Sequence, residues 1–177
     1  MSIRDEIRAR LDEERLRLIK PLMAGSPEAR LIYASDELHK AIRLPHSDPK
    51  EAARRGRLQA DFDRFINGRL VTIGGRNHRQ AYMKCLEPEC DEIWEIRSID
   101  PRPSLRVFGS FAEADVFIAM HVGRRDELGG FNSPEFKSAI RYTKACWRQL
   151  FNTWPPFSGS SINDYITENV LDLRTLG

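Results

Sequence analysis

The chain is poor in cysteine, in net charge and in long apolar runs, and each shortage removes a class of protein. Its three cysteines, Cys85, Cys90 and Cys146, are too few for a disulfide framework, and pairing two would leave one over. Cys85 and Cys90 lie near His78, but their spacing is wider than the tight pairs of common zinc sites. No second pair follows, so no metal is expected and the thiols read as buried or incidental. No apolar run approaches bilayer length and the N-terminal residues are charged, so a cytoplasmic, soluble chain without membrane contact is expected. Gly74-Gly75 lacks the Lys-Ser/Thr ending and following helix of a phosphate loop, and no cofactor is expected. There is no internal repeat.

A net charge of +2 says little about nucleic acid, whereas the distribution of charge says more. From Arg43 to Lys84 there are ten Lys/Arg against four Asp/Glu, and Cys85–Glu95 then carries five acids and no base. A basic half beside an acidic hairpin suits an RNA or DNA surface, and a solvated helix face looks similar. With 41% hydrophobic residues, 177 residues can bury a real core. The expected organisation is an N-terminal helical extension (1–28), a central domain (29–151) and a C-terminal extension (152–177).

Ser2 and Asp5 suit a capping box on a charged helix over Met1–Lys20, in which Ile3, Ile7 and Leu11 recur every four residues. Six bases nearly cancel five acids there, which favours an arm packing on the domain or on a second copy over a nucleic-acid role. A strand is expected at Ala29–Tyr33, then a helix capped by Ser35 or Asp36 that runs to Leu44. Pro49 opens a second helix to Ile66, closed by Asn67-Gly68, with Arg54, Arg55, Arg57, Arg64 and Arg69 expected to be mostly exposed. Ser133-Pro134 starts a helix to Phe151 whose Lys137, Arg141, Lys144 and Arg148 form a basic stripe, and Ile162–Leu173 reads as a last helix.

Between these helices, Glu92–Arg125 holds three apolar-rich runs in close succession: EIWEIRS, SLRVFGSF and ADVFIAMHVGRR. Period-two alternation puts Trp94 and Ile96 on one face and Glu95 and Arg97 on the other. Such a hairpin sheet gathers Glu95, Arg97, Arg106, His121, Arg124 and Arg125 into one polar region suited to a phosphodiester.

The order and content of these runs resemble the RelE/ParE toxin superfamily, and within it the HigB-like and phage-derived branch. The matches are Trp94-Glu95-Ile96-Arg97, Arg106-Val107-Phe108 and His121-Val122-Gly123-Arg124-Arg125, over about Ala29 to Phe151. Arg124-Arg125 stand where the family pattern has Lys-Lys. The resemblance implies an α+β fold: a small twisted antiparallel sheet of about four strands, two helices from the N-terminal half packed on it, and a C-terminal helix. It also implies a metal-independent endoribonuclease cutting mRNA on the ribosome, held inactive by an antitoxin of helix-turn-helix type. The superfamily includes gyrase-directed inhibitors, so a non-catalytic binding protein is the alternative.

On this resemblance Arg97 and Arg106 bind the scissile phosphate, His121 transfers protons, and Glu95 is a base or orients a cation. Arg124 and Arg125 hold flanking RNA, and Arg54, Arg55 and Arg57 grip ribosomal RNA. Plainer readings stand beside these. Glu95, Arg97 and Arg106 make cross-strand ion pairs, His121 is structural, Arg124-Arg125 is a solvated turn, and Tyr82, Tyr142 and Trp147 pack in the core rather than stack on bases. A homodimer through the N-terminal helix is a further expectation.

Overall fold

A computed structural model describes residues 1–176. It is an α+β fold built on one mixed eight-stranded sheet. Helix α1 (Ile3–Asp12) begins with the expected capping box, in which Ser2 and Asp5 satisfy each other's end groups. It stops at Asp12, earlier than expected, and strand β1 (Leu16–Leu18) follows. Ile7 is buried with Leu16, Ile118 and Trp147, so the apolar stripe of α1 packs on its own domain.

Strand β2 (Leu31–Ser35) leads into α2 (Asp36–Arg43), capped by Ser35, and α3 (Pro49–Ile66) follows, capped by Asp48 with Pro49 in its first turn. After β3 (Val71–Ile73) and β4 (Met83–Cys85) come the three expected strands: β5 (Trp94–Ser98), β6 (Leu105–Glu113) and β7 (Val116–Arg124). The short α4 (Arg125–Leu128) and the long α5 (Pro134–Leu150), capped by Ser133, complete the central segment. The last helix expected over Ile162–Leu173 is only one turn, α6 (Ile162–Tyr165), and strand β8 (Val170–Asp172) follows.

The strands lie in the order β1-β2-β7-β6-β5-β4-β3-β8. The expected four-stranded sheet corresponds to the centre, β2-β7-β6-β5, with β2 parallel to β7 instead of antiparallel. Residues outside the central segment extend this sheet, since β1 pairs with β2 and β8 pairs with β3. One face carries the main core, where Leu58, Phe62, Phe65 and Ile66 of α3 meet Trp94, Ile96, Val107 and Phe117 of the strands. Tyr165 and Ile166 seal that core from the C-terminal segment. The other face is covered by α1 and α5 in two smaller clusters, and the one holding Phe108, Leu128 and Phe136 borders the candidate site. No helix among the described residues is long and apolar enough to cross a membrane.

Candidate active site

Alternation in β5 divides its residues as expected. Trp94 and Ile96 enter the main core, and Glu95 and Arg97 project from the opposite face. Register then fixes their neighbours: Lys84, Glu95, Phe108 and His121 form one row across β4, β5, β6 and β7. Arg97 and Arg106 are directly opposite each other in the next row, beside Gly123.

Glu95 is 3% exposed. Arg97 Nε donates to its Oε1 at 2.7 Å, and Arg97 Nη1 donates to the carbonyl of His78 at 2.8 Å. Arg106 Nε stands 3.8 Å from Glu95 Oε2, too far for a hydrogen bond, and that oxygen is buried without a partner among the described residues. Arg106 is held instead through Nη1, which donates to Ser104 Oγ at 3.0 Å and the Leu105 carbonyl at 3.1 Å.

Above this floor lies a cavity of about 620 Å³. Arg76 and Arg79 from the β3–β4 loop, Arg102 from the turn before β6, and Arg125 from α4 converge on it with Lys84, Arg97 and Arg106. Against these seven cations the lining offers two carboxylates, Glu95 and Asp126, so the cavity carries a surplus of positive charge. Burial pushes the Lys84 ammonium below its ordinary pKa, with Arg97 and Arg76 adding to the shift and Glu95 opposing it. Burial likewise brings Arg106 down to about 10, with Glu95 again opposing, which leaves it fully charged at neutral pH. Concentrated, partly dry positive charge of this kind can bind a phosphate and stabilise a phosphorane.

Not all of the expected residues reach this cavity. Glu95, Arg97, Arg106 and Arg125 line it, but His121 does not. His121 shares their face, yet Phe108 stands between it and Glu95, and two strand spacings of about 4.8 Å separate the backbones. A bulge in β7 leaves Met120 unpaired between Ala119, opposite Gly109, and His121, opposite Phe108. The imidazole packs at ring-centroid distances of 5.8 Å from Phe108 and 5.0 Å from Tyr142, and faces a separate shallow depression with Leu128 and Ala139. Burial lowers its pKa, partly opposed by Glu37.

Arg124 alternates onto the α3 face, where it pairs with Asp126 at 2.7 Å and approaches Glu51 at 3.8 Å. Arg54, expected to be mostly exposed, is buried, bound to Glu51 and to the carbonyl of Arg102, because the turn before β6 lies against the start of α3. Arg55 also leans on Glu51, and Arg57 pairs with Asp61 at 3.3 Å. These α3 arginines belong to the opposite layer of the sheet from the cavity. Tyr82 and Trp147 are core residues; Tyr142 is partly exposed and donates to Glu37.

Lys84, Arg76, Arg79 and Arg102 are site residues that sequence reasoning passed over. Lys84 carried a signal, as a lone lysine between Met83 and Cys85 in a strand whose neighbours turn inward. The three arginines lie in irregular segments that only the tertiary fold brings together. No family model, curated protein or solved structure matches the chain.

Proposed function

We propose that the protein is a toxin-like, metal-independent endoribonuclease that takes an RNA strand into the cation-lined cavity over Lys84, Glu95, Arg97 and Arg106. The observation that carries this reading is the buried Glu95 carboxylate, with one oxygen free of hydrogen bonds, beneath a surplus of cations in a cavity large enough for a nucleotide. The resemblance of the β5–β7 motifs to RelE/ParE toxins supports the same chemistry.

In this mechanism Arg97 and Arg106 grip the scissile phosphate through their planar forks. Arg106 turning toward the phosphate uncovers Glu95 Oε2, which takes the proton of the RNA's 2′-hydroxyl. The 2′-oxygen bonds to phosphorus, the bond from phosphorus to the 5′-oxygen breaks, and the Lys84 ammonium protonates the leaving oxygen. Burial has already weakened the hold of Lys84 on its proton, which suits it to an acid's role. The products are a 2′,3′-cyclic phosphate and a 5′-hydroxyl, and no metal enters. Arg76, Arg79, Arg102 and Arg125 hold the flanking backbone. The mRNA on the ribosome is the substrate, and a helix-turn-helix antitoxin is the inhibitor, docking on the exposed Lys137, Arg141 and Arg148 of α5.

Primer extension on ribosome-bound mRNA after induced expression tests the reading. The parent is expected to arrest growth and leave 5′-hydroxyl ends in the presence of a chelator, and folded Arg106→Ala and Lys84→Ala variants to do neither. Unchanged toxicity in both would place the chemistry elsewhere. The position of His121 outside the cavity favours a second reading, a non-catalytic binder on the same fold, which leaves mRNA intact but forms a stable complex with RNA or a protein partner.

A further inference from the structure

We infer that Phe131 is a nucleobase-stacking position at the mouth of the cavity, so that the site reads one base together with its phosphate. The inference rests on the RNA reading above and adds a recognition element to it.

Phe131 sits in the loop between α4 and α5 and lines the cavity with Lys84, Arg97 and Arg106. It is 37% exposed, whereas Phe108 and Phe136 on the same face are buried in their cluster. Packing does not account for it; no hydrophobic cluster among the described residues includes it. Its nearest charged partners are cations: the Arg76 guanidinium carbon is 4.5 Å from the ring centroid and Lys84 Nζ is 5.5 Å away. The exposed ring is thus covered by an Arg76 guanidinium that a base could displace, beside groups that would take a phosphate, and backbone charge with base stacking is how single strands are gripped.

The surroundings allow a base to enter. Arg76 approaches from the opposite rim on an exposed side chain tied to Glu87 at 2.8 Å, so its guanidinium can withdraw by one ring thickness and stack on the far side of the base. Gly129 takes a left-handed φ of 66°, and a side chain at Gly130 would meet nothing within 4 Å, so the Phe131 loop has room to adjust. The stack becomes Arg76, base, Phe131, with the attached phosphate over Arg97 and Arg106.

The test is a fluorescence-anisotropy titration of the full chain with a short RNA bearing a 2′-deoxy residue at the cleaved position, beside a series of the same oligomer with one abasic position each. Phe131→Ala is expected to weaken the intact oligomer about tenfold, while Phe131→Trp retains affinity and its indole emission is quenched on binding. One abasic oligomer is expected to lose about the same factor on the parent and nothing further on Phe131→Ala. Equal losses on intact and abasic oligomers, or no loss with Phe131→Ala, would overturn the stacking position. Arg106→Ala separates this from the underlying reading. If that variant binds every oligomer like the parent, or if none binds the parent, the cavity is not the phosphate site and both fall.

Discussion

Replacing Glu95 by glutamine removes the one carboxylate that faces both Arg97 and Arg106, and its effects can be worked from the geometry. In the parent the carboxylate is almost fully buried and bonded to Arg97 at 2.7 Å. Glutamine keeps the shape and one acceptor oxygen but turns two N–H donors toward guanidinium groups that have no acceptor to offer. Breaking a buried ion pair by removing one partner costs about 3–5 kcal/mol. The lower end applies here, because the cavity above admits water and Arg97 keeps its bond to the His78 carbonyl. For a chain of this size about 3 kcal/mol lowers Tm by roughly 6–12 °C.

The same substitution leaves seven cations against one carboxylate, so the cavity binds anions more tightly than before. Phosphate stabilises parent and variant alike, so the gap narrows by the difference in their affinities, about 1.4 kcal/mol for a tenfold tighter Kd in the variant. Thermal unfolding in a dilute buffer, with and without inorganic phosphate, reads both effects. Glu95→Gln is expected to melt well below the parent in dilute buffer and to approach it as phosphate is added. In the cleavage assay kcat falls while KM does not rise, since the base is gone and the grip is not. A variant as stable as the parent without phosphate, or a gap that phosphate leaves untouched, would refute the account of Glu95 as counterion to the cavity floor.

Three further substitutions probe other parts of the fold. Lys84→Met removes an ammonium whose pKa burial depresses from 10.5, so neutral-pH stability is expected to rise while RNA affinity falls. The parent gains stability as pH rises from the depressed value toward 10.5, and calorimetry across that range should find the gain missing in the variant. His121→Gln acts at the acid end. Because burial lowers this histidine below 6.5, the unfolded chain takes up its proton first and the parent loses stability as pH falls through 6.5. The variant should show a shallower loss, with His39 still contributing the same sign, and unchanged RNA cleavage; lost cleavage in a folded variant would return His121 to the site. Tyr165→Phe deletes the hydroxyl that donates to Glu92 at 2.8–2.9 Å, leaving that buried carboxylate with only Trp94 Nε1 at 3.3 Å. Urea unfolding is expected to show a loss of about 2 kcal/mol, and an unchanged midpoint would show that the C-terminal segment is not pinned there.

What could be read before folding was whatever local chemistry decides. Ser35, Pro49 and Ser133-Pro134 announce helix starts, and the α2, α3 and α5 boundaries follow them closely. Alternation in β5 correctly sorted Glu95 and Arg97 from Trp94 and Ile96. Among the strands that were missed, β1 and β8 are three residues long and form only because a distant partner offers an edge, as Val71 does for Val170. His121 was assigned the right face but not its neighbour, because the register that interposes Phe108 and the bulge beside it depend on three strands at once. Helical periodicity suggested an exposed Arg54, and only the approach of the turn before β6 buries it.

The row Arg97–Arg106 violates a local rule in a way that points to function. Like charges directly opposite on adjacent strands destabilise a sheet. A packed main core on the reverse face holds both backbones in place, so the guanidinium groups cannot escape by moving strands. Glu95 bonds one of them and only approaches the other, and Lys84 adds a third positive charge beside it. The folded chain therefore carries a repulsion that its own carboxylate offsets in part, and a bound anion would supply the missing counter-charge. The parent protein itself should consequently gain more in Tm from phosphate than from sodium chloride at equal ionic strength, because screening weakens repulsion generally whereas a phosphate accepts hydrogen bonds from both forks. Arg106→Ala should abolish that difference while leaving the response to chloride. Equal stabilisation by the two salts in the parent would mean that the arginines are balanced by solvent alone and that the cavity has no place for a phosphate.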